Sequence, residues 1–166
     1  MDNRCVRSNR VRLASMALLL QVLLGIARAQ DHTSSNSEIE QALSRFLTAF
    51  NNLDWPVFRD CFSTSPTVFF PLPQVVRRVE GEEFDKVWQR FFDQARKRAV
   101  GGGKTTPPFL DIRPKDMRID RLDDQVAVVT FHLNAEPKLN RRTIVLQKFP
   151  AGWKIVHLHA SYIAPD

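Results

Sequence analysis

The sequence predicts one α+β domain in which helices cover a mainly antiparallel sheet. Three observations carry that expectation. Apolar residues recur at helical spacing through residues 39–53 and again through residues 84–95. From residue 109 onward the pattern turns to extended runs separated by short polar or glycine-containing turns. The long β-type segments follow the helices as a block and do not alternate with them, which is the order of segregated α+β layers.

An export signal precedes the domain. Arg4, Arg7, Arg10 and Arg12 lead into a 15-residue uncharged apolar run, residues 13–27, and Ala27-Arg28-Ala29 then stands before Gln30. A positive start, a short apolar centre and small residues ahead of a cut site define a secretory signal. A spanning helix needs about 20 residues. Residues 1–29 are therefore expected to be cleaved, leaving a secreted or periplasmic chain with no stable membrane anchor.

Cleavage changes the composition. It removes five arginines and one aspartate, so residues 30–166 keep 19 basic and 17 acidic residues and the net charge drops from +6 to +2. That balance removes the electrostatic case for a nucleic-acid partner. Cys5 leaves with the signal, and Cys61 alone cannot form an internal disulfide. Its place beside Phe62 suits a buried structural thiol. Residues 30–36 are small and polar and are expected to be a flexible leader, and residues 37–166 to be the single domain.

The elements of the domain follow in order. Ser37 with Glu40 three residues later has the pattern of a capping box. Ile39, Leu43, Phe46, Phe50 and Leu53 then form one apolar helix face. Asp54 can cap a second, short helix that tolerates Pro56 in its first turn, with Val57, Phe58 and Phe62 on its buried side. Residues 67–70 (TVFF) read as a short strand stopped by Pro71 and Pro73, and residues 75–79 as a second strand. After Gly81 a third helix carries Phe84, Val87, Trp88, Phe91, Phe92 and Ala95 in a wide apolar stripe. Arg96, Lys97 and Arg98 close it with the charge its dipole favours, before Gly101–Gly103. Residues 109–120 are extended, residues 126–133 (VAVVTFHL) are nearly all apolar, and residues 141–149 and 153–163 complete a four-stranded meander.

Residues 126–133 are apolar on both alternating sets, which a half-solvated strand is not. One face can pack on the helices. Pairing of two sheets would cover the other, so a homodimer is expected.

The closing strand Trp153-Lys154-Ile155-Val156-His157-Leu158-His159-Ala160-Ser161, together with AFNNLDWPVFRDCFS and PTVFF near the start, resembles the nuclear-transport-factor-2-like (NTF2-like, SnoaL-like) superfamily. The resemblance runs from about Glu38 to Ile163 and is nearest the branch related to the association domain of calcium/calmodulin-dependent kinase. It implies a cone: a curved antiparallel sheet wrapped around the long helix, with two N-terminal helices and an apolar pocket. Members include isomerases, cyclases, epoxide hydrolases and non-catalytic binding or assembly domains, so the fold leaves the function open. In the isomerases a first-helix tyrosine and an aspartate at the end of the first strand do the chemistry. Their counterparts look like Phe46 and Phe70. A general base must be titratable, so chemistry of that kind is not expected. The kinase-related branch places arginines in its pocket, although one comparable pocket position is Ala160 here.

Several constellations remain. Phe46, Phe50, Trp55, Phe69, Trp88, Phe92 and Phe131 are core aromatics of which a subset should line the cone. Arg141 and Arg142 point to opposite faces, and one of them, with Arg142 preferred, could clamp a carboxylate inside. His157 and His159 share a strand face and are candidates to touch a ligand, but His132 should lie two strands away, so no metal site is expected. The GGGKT of residues 101–105 lacks the first glycine of a phosphate loop, having Arg98 there, and follows a helix; it reads as a mobile loop. No cofactor is implied. The expected function is binding of a small apolar ligand, or homodimeric assembly, without isomerase-type catalysis. The rival is a small-molecule enzyme with a rearranged site using histidine or arginine.

Overall fold

The computed structural model describes residues 36–71, 75, 77–135 and 138–163. The expected signal peptide and nearly all of the leader lie outside the described residues. The unit that carries the fold is Glu38–Asp166. Helix α1 covers residues 36–52. Helix α2 is Trp55–Asp60, strand β1 is Phe62–Phe69 and helix α3 is Gly81–Gly101. Four strands follow: β2 Lys115–Arg121, β3 Val126–Ala135, β4 Lys138–Phe149 and β5 Gly152–Ile163.

The helices form where their apolar stripes require. Ile39, Leu43, Phe46, Ala49 and Leu53 are buried along α1 and its end, and Phe84, Trp88, Phe92 and Ala95 along α3. Asp54 caps α2: its backbone is extended, and its carboxylate accepts the Val57 N–H at 3.2 Å. Ser37 lies within the first turn of α1 and not at its N-cap position, since the helix is already in progress at residue 36. Glu38 does more for the fold. Its carboxylate accepts from Lys148 Nζ at 2.7 Å and Trp153 Nε1 at 3.2 Å, which ties α1 to the β4–β5 hairpin.

The sheet runs β1-β5-β4-β3-β2, with β1 parallel to β5 and the last four strands an antiparallel meander. Three extended segments differ from the sequence reading. β1 starts at Phe62, earlier than expected, with Pro66 inside it. Residues 75–79 form no strand among the described residues; Val79 alone bridges Val68, each N–H bonding the other carbonyl at 2.9 Å. Proline at 71 and 73 denies the ladder the donors a longer pairing needs. Strand β2 begins only at Lys115, because the chain before it is held by α1 instead. The Asn51 carbonyl accepts the N–H groups of Phe109 and Leu110 at 2.8 and 3.0 Å. The Asn51 side chain then accepts from Ile112 N–H at 2.7 Å and donates to Ile112 C=O at 3.1 Å, taking the place of a neighbouring strand.

One core joins the layers. The inward residues Ala127, Val129, Phe131 and Leu133 of β3 and Ile144 and Leu146 of β4 pack in the same cluster as the helix stripes. Phe58 of α2 sits at its centre with no exposed surface. Its ring lies 4.8 to 6.1 Å from those of Trp88, Phe92, Phe62, Phe46, Phe50 and Trp55. Phe58→Ala should therefore destabilise the fold by about 3–5 kcal/mol, read as a lower midpoint in urea denaturation.

Candidate functional site

A partly enclosed cavity of about 100 Å³ lies between the helices and the inner face of the sheet. Phe46, Leu47 and Phe50 supply one wall from α1, and Trp88 and Phe91 supply another from α3. Phe131 and Leu133 of β3, with Leu158 and Ala160 of β5, form the floor. Phe70, Pro71 and Ile112 complete the lining from segments outside the regular strands, Ile112 being the residue that Asn51 holds.

Among the described residues, Arg142 is the one charged residue on this lining. In register it stands between Phe131 of β3 and Ala160 of β5, and the small Ala160 leaves room for the long side chain. Nη1 donates to the Arg141 carbonyl at 2.8 Å and to the Ser161 carbonyl at 3.5 Å. Burial pushes its pKa down to about 10, so it remains a cation at neutral pH. Trp88 also contributes to the lining, and its indole N–H is buried with no hydrogen-bond partner among the described residues.

The structure thus brings Phe46, Phe50, Trp88, Phe131 and Arg142 together and separates the other candidates from them. Trp55 and Phe92 pack on Phe58 in the core, at ring distances of 6.1 and 4.8 Å. Consecutive helical residues are rotated by about 100°, so Phe91 faces the cavity while Phe92 turns to α2. Phe69 is on the outer face of β1, since Val68 is the inward residue there. Arg141 is exposed.

His157 and His159 are also outside the cavity, on the opposite face from Leu158 and Ala160. A β-bulge is the reason. Trp153 and Ile155 point inward, and unbroken alternation would carry His157 and His159 inward with them. Ile155 pairs with Leu146 and His157 with Val145, so Val156 is an extra residue and the strand changes face there. His157 Nδ1 instead shares a hydrogen bond with Thr67 Oγ1 at 2.7 Å, and both histidine rings pack on Phe69. Burial, followed by the nearby His159 and Arg78, pushes the His157 pKa down. His132 is two strands from Ser161 on this outer face, 3.7 Å from Asp116. The thiol of Cys61 is buried, donates to the Val57 carbonyl at 3.2 Å and has its pKa raised by that burial.

A meander curved over a long helix, with an apolar cavity between them, defines the NTF2-like class of α+β fold. The chain belongs to the SnoaL-like domain family, whose model matches residues 39–165. Solved structures agree on the fold. An NTF2-like protein of unknown function from Pseudomonas putida KT2440 is 18% identical, with a TM-score of 0.61 over 80% of this chain and 88% of that one. A cystatin-like fold protein from Burkholderia xenovorans LB400 is also 18% identical, with a TM-score of 0.61 over 80% and 95%. The CamKII hub homology domain of Chlamydomonas reinhardtii is 21% identical, with a TM-score of 0.57 over 78% and 98%. No curated protein matches the chain significantly.

Two predictions follow from the charges. Arg142 sits in an apolar wall with its cationic form disfavoured by burial, so Arg142→Leu should raise stability by about 1–3 kcal/mol in urea denaturation. The unfolded chain protonates His157 near pH 6.5, above the pH at which the folded chain does. The contribution of neutral His157 is therefore complete above that pH and lost as pH falls through it towards the folded value. The denaturation midpoint should fall between pH 7 and pH 5, with a shallower slope in His157→Gln.

Proposed function

We propose that this SnoaL-like domain is an exported binding module that holds a small, mainly apolar molecule in the cavity, without acid–base catalysis of the isomerase type. The observation that supports this reading is the chemistry of the lining. Phe46 and Phe70, the counterparts of the tyrosine and aspartate that isomerases use, both face the cavity. Aspartate, glutamate, histidine, cysteine and tyrosine are all absent from the lining residues among those described. A proton-transfer catalyst must be titratable near the working pH and within reach, and Arg142 is not titratable there. The histidines of the rival enzyme reading lie on the other face of the sheet. Aromatic walls with few polar anchors are the composition of a small-molecule site.

Export rests on residues 1–29, and homodimer formation on the outer sheet face. There Val126, Val128, Thr130 and Val145 are only half-buried in the single chain, a β-branched surface suited to pairing with a second copy. The hub-domain relative is consistent with assembly within this fold.

Ligand retention is the direct test. Small molecules that co-purify with residues 30–166 should be identifiable by mass spectrometry of the denatured protein. Ala160→Leu should fill the cavity and weaken binding of such a molecule at least tenfold with the circular dichroism spectrum unchanged. A ligand held equally by both proteins would exclude the cavity as its site. For assembly, native mass spectrometry at micromolar concentration should show a dimer that Val128→Glu disperses.

A further inference from the structure

The class of ligand can be named from which hydrogen-bonding groups the cavity offers, an inference that rests on the binding reading above. Both polar side chains of the lining are donors. Arg142 uses Nη1 on two backbone carbonyls, while Nε and Nη2 make no hydrogen bond to a described residue. No carboxylate among the described residues pairs with Arg142, although ten other arginine and lysine side chains among them do pair with one. Trp88 Nε1 is donor-only and buried without a partner. Every other lining residue has a hydrocarbon side chain, so the lining contributes no side-chain acceptor.

Those vacancies constrain an occupant. A buried donor left unmade is costly, and a half-buried cation without a counter-charge more so. The cation is relieved by a ligand that brings acceptors and one negative charge. A single guanidinium matches a monoanion with two coplanar oxygens, since its N–H groups are set in a planar fork. A phosphate dianion would remain under-neutralised by one arginine and would be stripped of strong hydration by walls of Phe46, Phe50 and Leu158. The remaining body of the ligand must be apolar and short, because the cavity has room for about 100 Å³. An enclosed apolar cavity of roughly 150 Å³ accepts benzene; this one is smaller but only partly enclosed, so a ring or short chain can extend past its rim.

We propose that the cavity binds a small apolar carboxylic acid as its carboxylate, with the head on the free edge of the Arg142 guanidinium and the hydrocarbon body among the phenylalanines. The sequence of β4 and β5 builds this arrangement locally. Arg142 follows the outward-facing Arg141, and Ala160 opposite it clears the space that a larger residue would fill.

The test uses matched probes on the whole protein by isothermal titration calorimetry at pH 7: butyrate against butyramide, benzoate against benzamide, and benzene as a wholly apolar probe. Each acid should bind at least tenfold more tightly than its amide. Arg142→Gln should abolish that preference while leaving amide and benzene affinity within about threefold. Because the readout is a ratio within one variant, a loss of stability cannot imitate the result. Benzene binding with no preference of acid over amide, or a preference that survives Arg142→Gln, would overturn the carboxylate class and leave the binding reading intact. Failure of all five probes to bind the unmodified protein would overturn both.

Discussion

The aromatic knot around Phe58 is the constraint on which the rest of the molecule depends. A six-residue helix such as α2 is too short to be stable alone. It persists because one fully buried ring in it touches the rings of α1, α3 and the start of β1. The same contact sets the angle and spacing of α1 and α3 over the sheet. The cavity is the consequence on the far side. Where Phe58 and Phe92 fill the space, the layers close; towards Phe70, Ala160 and Arg142 they do not.

Asn51 completes what the knot begins. Its backbone and side chain together make four hydrogen bonds to Phe109, Leu110 and Ile112. A polar residue at the end of a helix so acts as a strand for a segment 61 residues away, and holds Ile112 in the cavity wall. Arg96 supports the same junction, with its guanidinium 4.6 Å from the centre of the Phe109 ring and a hydrogen bond of 2.7 Å to the Leu53 carbonyl. The cavity is therefore framed by tertiary bonds from helix ends, not by the sheet alone.

This explains which parts of the site were legible in the sequence. Helix stripes and the order of the meander depend on local periodicity, and that periodicity placed Phe46, Phe50 and Trp88 on faces that do reach the cavity. Phe91 and Phe92 both belong to the stripe of α3, and only the position of α2 decides which of them packs in the core. Ile112 and Pro71 lie in segments with no period to read. The histidines show the limit most clearly. His157 and His159 do share a face, as alternation requires, but which face depends on one inserted residue, Val156. The bulge is a property of the pairing with Leu146 and Val145, and pairing is not visible in the strand by itself. Phe70 is located through resemblance rather than periodicity, and it too faces the cavity.

What the cavity keeps is as informative as what it lacks. A binding wall made only of hydrocarbon would be cheaper to fold, since neither an unpaired cation nor an orphaned indole N–H stabilises the empty chain. Several charges of this domain are paired: Arg45 and Lys154 converge on Asp60, Arg59 meets Asp85, and Lys148 meets Glu38. Arg142 has no such partner among the described residues, and it stands where the helices and the sheet leave a cavity. Proteins carry such local costs where function needs them, because selection removes only what falls below the stability required. Ala160 makes the cost possible by leaving room, and Phe46 and Phe70 confine it to a single charge. The lining thus combines one cation with an apolar surround, and phenylalanine at positions 46 and 70 leaves Arg142 as its one charged group among the described residues.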